Sequence, residues 1–90
     1  MARRPAPEKL AEKLKEIRTR RGLSQSEMVK ALNYKASPLR ASQISNFEQG
    51  KREPPAMLLL AYARFAGVIV DVLIDDKLNL PREKKEDEPR

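Results

Sequence analysis

The chain of 90 residues is long enough for one small folded domain. It contains no Cys and no His, which excludes a disulfide framework, a Cys/His zinc site and any catalysis that depends on histidine. The net charge of +6 is uneven: residues 1–52 carry thirteen Lys and Arg against five Asp and Glu, and residues 53–90 carry six against eight. This asymmetry indicates that the first half faces a polyanion such as nucleic acid, although charge alone fits an ordinary basic surface equally well.

Composition divides the chain into three segments. We predict a flexible basic arm at residues 1–6 with Arg3 and Arg4, a folded domain at 7–76, and a charged, disordered tail at 77–90. The longest apolar run is too short for a membrane span, and the first residues lack the apolar core of a signal peptide. We therefore expect a cytoplasmic protein with no membrane partner.

The first predicted helix begins near Pro7 and ends before Gly22, a residue suited to a left-handed helix end. Leu10, Leu14 and Ile17 recur along it at helical spacing, which makes one side apolar. The pattern is typical of a helix that packs on a core.

The second predicted helix has a clear start and stop. Ser24 followed by Glu27 forms a capping-box pattern, and Asn33 after Leu32 tolerates the left-handed conformation that ends a helix. After it comes a long connection, in which Ser37 and the proline beside it provide an early cap for the next helix. Three further helices are predicted at residues 40–49, 55–66 and 70–74, without strands.

The third helix, at residues 40–49, has two unlike sides. Ala41, Ile44 and Phe47 share an apolar side, with Glu48 beside them. The opposite side is polar and carries Ser42, Ser45, Asn46 and Gln49. A helix with an apolar back and short polar side chains in front fits the major groove, where Asn pairs with adenine and Ser donates or accepts. A plain solvated surface is the competing interpretation of these polar residues taken alone.

Two runs, residues 17–25 and 43–54, resemble the lambda-repressor-like, or XRE, helix-turn-helix family. The similarity continues through Leu59, Tyr62, Ala63, Gly67, Val68, Asp71 and Leu73 and so covers roughly residues 8–75. It implies an all-α, five-helix domain in which helices 2 and 3 form the DNA-reading unit. It also implies a nucleoid-associated protein of a bacterium or phage.

The resemblance and the helix pattern together assign candidate DNA contacts. The base-reading candidates are Ala41, Ser42, Ser45 and Asn46. The candidates for phosphate contact are Ser24, Gln25, Lys35, Arg40, Gln43, Gln49, Lys51 and Arg52. Arg3 and Arg4 are candidates for a minor-groove arm. The resemblance implies that Arg18 and Glu48 form a structural ion pair. Such a pair would offset the unfavourable free energy of burying the Glu48 carboxylate alone on the inner side of its helix.

Three features depart from the family pattern. Eleven residues separate Leu32 from Ile44, five more than usual, which brings Lys35 or Arg40 within possible reach of phosphate. Ala41 stands where many family members have a polar residue that contacts bases. A direct base contact there would therefore be apolar, as with a thymine methyl group. Ile69 stands where a serine often caps the fifth helix.

The fourth helix is apolar nearly all round, which predicts burial on more than one side. We interpret its outer side as a homodimer interface, with an enlarged core as the alternative. The predicted interface residues are Met57, Leu58, Ala61, Phe65, Ile69, Val70 and Leu73. A twofold dimer implies a palindromic operator with half-sites about 34 Å apart.

The leading hypothesis is a transcriptional regulator, most simply a repressor. The alternative is an antitoxin-type module that neutralises a partner protein and regulates its own synthesis by binding DNA. We expect no enzyme, cofactor or metal, because Asp71, Asp75 and Asp76, the nearest approach to a carboxylate cluster, are typical of helix caps and solvated charges.

Overall fold

Five α-helices follow one another along residues 8–81, the part of the chain that the computed structural model describes. They are α1 Leu10–Arg20, α2 Gln25–Leu32, α3 Ala41–Glu48, α4 Ala56–Ala66 and α5 Val70–Ile74. The predicted all-α, five-helix fold class is confirmed, and within residues 8–81 there is no strand. None of these helices is both long and apolar enough to cross a bilayer.

Local end signals set most helix boundaries. The Ser24 hydroxyl accepts the Glu27 N–H at 3.0 Å, and the Glu27 carboxylate accepts the Ser24 N–H at 2.7 Å, which is the predicted capping box of α2. Asn33 ends α2 in the left-handed region with φ 52°. Gly22 follows α1 with φ +69°, where a side chain would be strained.

Two predicted helix starts were too early. Helix α1 begins at Leu10 rather than near Pro7. Helix α3 begins at Ala41, so Ser37 does not cap it; the cap residue is Arg40, whose backbone N–H donates to the Gln43 side chain at 2.8 Å. A glutamine three residues into the helix therefore decides where it begins.

All five helices contribute buried apolar side chains to one core, in which α1 packs against α3, α4 and α5, and α2 packs against α3 and α4. Its fully buried large side chains are Leu14, Met28, Ile44, Leu58, Tyr62 and Leu73. Each such side chain contributes roughly 1.5–3 kcal/mol to folding by leaving water. Leu58 and Leu73 were predicted to lie in a dimer interface; that prediction is wrong, because both are packed inside one chain.

The chain after α5 packs back on α1. The Lys13 side chain is only 5 % exposed, and its ammonium donates to the carbonyls of Val72, Asp75 and Leu78 at 2.7, 3.1 and 2.7 Å. At the other end of this contact, the Asp76 carboxylate accepts the N–H groups of Glu8 and Lys9 at 2.8 and 3.0 Å. Lys13 of α1 thus hydrogen-bonds backbone carbonyls of α5 and the chain after it, and Asp76 hydrogen-bonds backbone N–H groups just before α1.

The ordered contact extends past the predicted start of the tail at residue 77. Arg20 donates to the Pro81 carbonyl at 2.8 Å, and Leu80 packs against the core. The rest of the predicted tail, and the predicted arm with Arg3 and Arg4, lie outside the described residues.

Candidate nucleic-acid interface

Helix α3 presents one polar side away from the core. Ile44 and Phe47 are buried under it, and Ala41 at its start is half-buried. The accessible side carries the exposed Ser42, Gln43 and Gln49 and the half-buried Ser45 and Asn46. This division follows the predicted one, because residues three and four apart share a side of an α-helix.

A bidentate ion pair fixes α3 to α1. The Arg18 guanidinium donates through Nε and Nη2 to the two carboxylate oxygens of Glu48, at 2.7 and 2.9 Å. Its Nη1 donates to the Leu23 carbonyl at 2.8 Å, which ties the turn before α2 to the same group. The Glu48 side chain is only 3 % exposed. The hydrogen bonds to Glu48 raise the pKa of Arg18, so the guanidinium is charged at any ordinary pH.

The buried Tyr62 ring lies near this pair. Burial raises the pKa of the Tyr62 hydroxyl, and the carboxylate of Glu48 raises it further. Tyr62 therefore remains a neutral phenol in the core.

Gln25, at the first position of α2, also contacts the pair. Its side-chain N–H donates to a Glu48 oxygen at 3.2 Å, so one end of the amide is held inside the protein. The second N–H of the amide is not needed for that bond and can donate to an acceptor such as a phosphate oxygen. The Ser24 hydroxyl accepts a hydrogen bond in the capping box, and that bond leaves its O–H able to donate.

Two predicted phosphate contacts hold internal hydrogen bonds. Gln43 accepts from the Arg40 backbone, and the Gln49 amide donates to the Ser45 hydroxyl at 2.7 Å. Neither bond uses up the donors that a phosphate would need, because the Gln43 bond involves only its carbonyl oxygen and the Gln49 bond only one of its two amide N–H groups. Both residues are exposed.

Asn46 lies in a groove beside α3. The groove has a volume of about 460 Å³ and is lined by Asn46, Gln43, Phe47, Arg52, Glu53 and Pro55. The predicted base reader Asn46 and the predicted phosphate contact Arg52 therefore share one concave surface. Lys51 comes just before it, and its backbone N–H donates to the Asn46 carbonyl at 2.9 Å.

The other predicted cations fall into two places. Arg40 is exposed at the start of α3, next to the reading side. Lys35 instead lines a second groove, between the connection after α2 and helix α4. The structure thus brings Arg40, Lys51 and Arg52 around α3 and leaves Lys35 on another surface.

The predicted dimer residues do not form one patch. Leu58 and Leu73 are core residues, as described above. Three others, Met57, Ala61 and Phe65, line the groove that contains Lys35, and Arg21 covers the Phe65 ring at 4.9 Å from its centroid. Ile69 is 65 % exposed at the corner before α5, beside the half-buried Val70.

Sequence reasoning missed two residues that join α1 to the segment after α5. Lys13 falls between Leu10 and Leu14 on the apolar stripe of α1, at the i+3 spacing that marks a buried position, and this spacing was the available signal. Asp76 gave none, because its partners Glu8 and Lys9 are 68 and 67 residues away in sequence.

Comparison with known families agrees with the geometry. A family model described as "helix-turn-helix domain" matches residues 9–76, about three quarters of the chain. A search of curated proteins found no match.

Proposed function

Because the chain belongs to the helix-turn-helix domain family, we propose that it is a sequence-specific transcriptional regulator that binds double-stranded DNA through the major groove. The observation that carries this proposal is the orientation of α3. Its inner side is fixed by Ile44, Phe47 and the Arg18–Glu48 pair, while its polar side faces solvent. A rigid helix of this kind places short polar groups at base edges without further ordering cost.

In this proposal, base readout rests on Ser42 and Asn46, with Ser45 beside them. Asn46 makes a bidentate contact to adenine and Ser42 a single hydrogen bond, while Ala41 touches a thymine methyl. Arg40, Lys51 and Arg52, together with Gln25, Gln43 and Gln49, contact phosphates on either side and set the register. No step of this function requires a catalytic group.

Selection of bound sequences from a pool of random duplexes tests the proposal. We expect enrichment of one motif, and a loss of about 1–3 kcal/mol in binding to that motif for Asn46→Ala. Binding to random DNA should hardly change, because phosphate contacts supply most of it. Equal loss on both DNAs would remove Asn46 from the reading role.

Lys51→Ala is the matched control for a phosphate contact. It should weaken binding to both DNAs alike and make the negative slope of log K against log salt shallower by about 0.9. An unchanged salt slope would show that Lys51 does not neutralise a phosphate.

We further propose that the protein acts as a homodimeric repressor at a palindromic operator. Support comes from Ile69, 65 % exposed, and Ile74, 44 % exposed, with Val70 on the same side of α5 as Ile74. This smaller surface replaces the broader predicted patch. A twofold contact there would pair two reading helices for half-sites about one helical turn apart.

Two substitutions separate the dimer surface from the core. Ile69→Lys should give a folded monomer by sedimentation, because it charges only an exposed position. Leu58→Lys should abolish folding instead, because Leu58 is fully buried. If Ile69→Lys leaves a dimer, the interface lies elsewhere.

The antitoxin-type alternative remains a hypothesis of a different class. Copurification of a specific second polypeptide would favour it, and a stable homodimer that represses on its own would count against it.

A further inference from the structure

A second concavity, lined mostly by apolar side chains, lies away from α3, between the connection after α2 and helix α4. It has a volume of about 460 Å³, within the range of about 300–1,000 Å³ that accommodates a compact ligand. Its apolar lining comes from Ala31, Leu32, Tyr34, Ala36, Met57, Leu60, Ala61 and Phe65. Small alanines at several of these positions leave room for side chains from outside.

The groove is open rather than sealed by the fold. Met57 at its edge is 60 % exposed, and Ala61 and Leu60 are half-buried. An exposed methionine beside half-buried aliphatic groups gives an adaptable apolar surface, which is typical of sites that accept a partner's side chains.

The charges around the groove all have one sign. Lys35 and Arg64 line the groove, and both are exposed. No Asp or Glu of residues 8–81 lines it. Tyr34 adds a hydroxyl that can donate a hydrogen bond. A ligand that fills the groove therefore gains most if it carries carboxylates next to its apolar side chains.

This charge pattern argues against the chain's own residues 1–7 or 82–90 as the segment that occupies the groove. Residues 82–90 contain no aliphatic or aromatic side chain other than a proline, so they have nothing apolar to bury there. Residues 1–7 carry Arg3 and Arg4 and no acidic residue, so they would add to the positive charge. A second copy that docked by twofold symmetry at the groove would bring like charges at Lys35 and Arg64 together.

We propose that this groove binds an acidic, amphipathic segment of another protein. Apolar side chains of the segment occupy the space between Met57, Leu60 and Phe65, and its carboxylates face Lys35 and Arg64. The site is separate from the reading side of α3, so it gives the protein a second binding surface whether or not it binds DNA.

Selection from a displayed library of random 12-residue peptides tests this proposal, followed by calorimetric titration of the enriched peptide in the absence of DNA. We expect a consensus with two or three apolar residues at helical spacing and flanking Asp or Glu. Met57→Glu should abolish binding of that peptide. The double variant Lys35→Glu with Arg64→Glu should weaken it about tenfold, because two attractive charge pairs become repulsive.

Two control variants locate the contact. Lys51→Glu with Arg52→Glu removes cations beside α3 and should leave peptide affinity within about twofold. Ile69→Glu adds an acid at an exposed apolar residue outside the groove and should also leave it unchanged. The proposal is overturned if no peptide is enriched, if the consensus lacks acidic residues, if Met57→Glu still binds, or if the Lys51 and Arg52 variant is the one that loses binding.

Discussion

Two cations on α1, the buried Lys13 and the half-buried Arg18, hold other parts of the fold, but the two have unlike partners. Near its C-terminal end, Arg18 pairs with the carboxylate of Glu48 and so fixes the proposed reading helix. Nearer its start, Lys13 donates to three neutral carbonyls and so fixes the segment after α5. Loss of Arg18 leaves a charge buried without a counterion, whereas loss of Lys13 leaves only dipoles without a donor.

The two cations therefore serve different parts of the proposed function. The Arg18 contact orients the side of the domain that we propose reads DNA. The Lys13 contact supports α5, which carries the surface that we propose dimerises. Substitutions at the two ends should therefore differ both in cost to stability and in what else they change.

The largest effect is expected for Arg18→Met. Glu48 would remain buried without its partner, so the free energy of unfolding in urea should fall by about 3–5 kcal/mol. The double variant Arg18→Met with Glu48→Met should recover most of this loss, because it removes the unpaired charge. A single variant that loses less than about 1 kcal/mol would show that Glu48 finds other compensation, for example from Gln25.

A smaller loss is expected for Lys13→Met. The methionine keeps most of the apolar stem in place, but three carbonyls lose their donor. The free energy of unfolding in urea should therefore fall by about 1–3 kcal/mol. Lys15→Met, at an exposed position on the same helix, is the matched control and should stay within about 0.5 kcal/mol of the parent. Equal effects at the two lysines would mean that the three hydrogen bonds are not maintained in solution.

Binding measurements sharpen the contrast between the two ends. Under conditions where both variants are folded, the double variant at Arg18 and Glu48 should bind the selected duplex about tenfold more weakly, about 1.4 kcal/mol, because α3 loses its fixed orientation. Lys13→Met should bind that duplex as the parent does once the dimer has formed. If both variants lose the same affinity, the two ends are not functionally distinct.

The smallest effect is expected at Asp76, which is only half-buried. Its pKa lies below the ordinary value, chiefly because its carboxylate accepts the N–H groups of Glu8 and Lys9. A lowered folded-state pKa stabilises the fold above the unfolded-state pKa of about 3.9, and this contribution is lost as the pH falls through the folded-state pKa. Asp76→Asn should therefore be less stable than the parent at pH 7, with the difference shrinking towards pH 3 in urea unfolding. A difference that does not depend on pH would assign the effect to shape rather than charge.

Much of the fold was predictable because its signals are local. The capping box of Ser24 and Glu27, the left-handed end at Asn33 and the glycine after α1 each act within one helical turn, and all are present as predicted. The bounds of α5 were also predicted correctly. The start of α3 was predicted to within one residue, but the early cap at Ser37 was wrong, because the cap residue is Arg40, whose backbone N–H donates to the Gln43 side chain.

The amino-acid sequence by itself determined the five helices, the polar and apolar sides of α3, and the membership in a helix-turn-helix family, since each depends on spacing along one short stretch. It also determined that α4 is apolar on more than one side. Only the tertiary structure decided which of those sides is covered: neighbouring residues Met57 and Leu58 are 60 % and 0 % exposed. Likewise, Lys13 and Asp76 acquire their partners only when distant segments meet. Burial and long-range hydrogen bonds depend on which elements come together, and the period of a single helix does not contain that information.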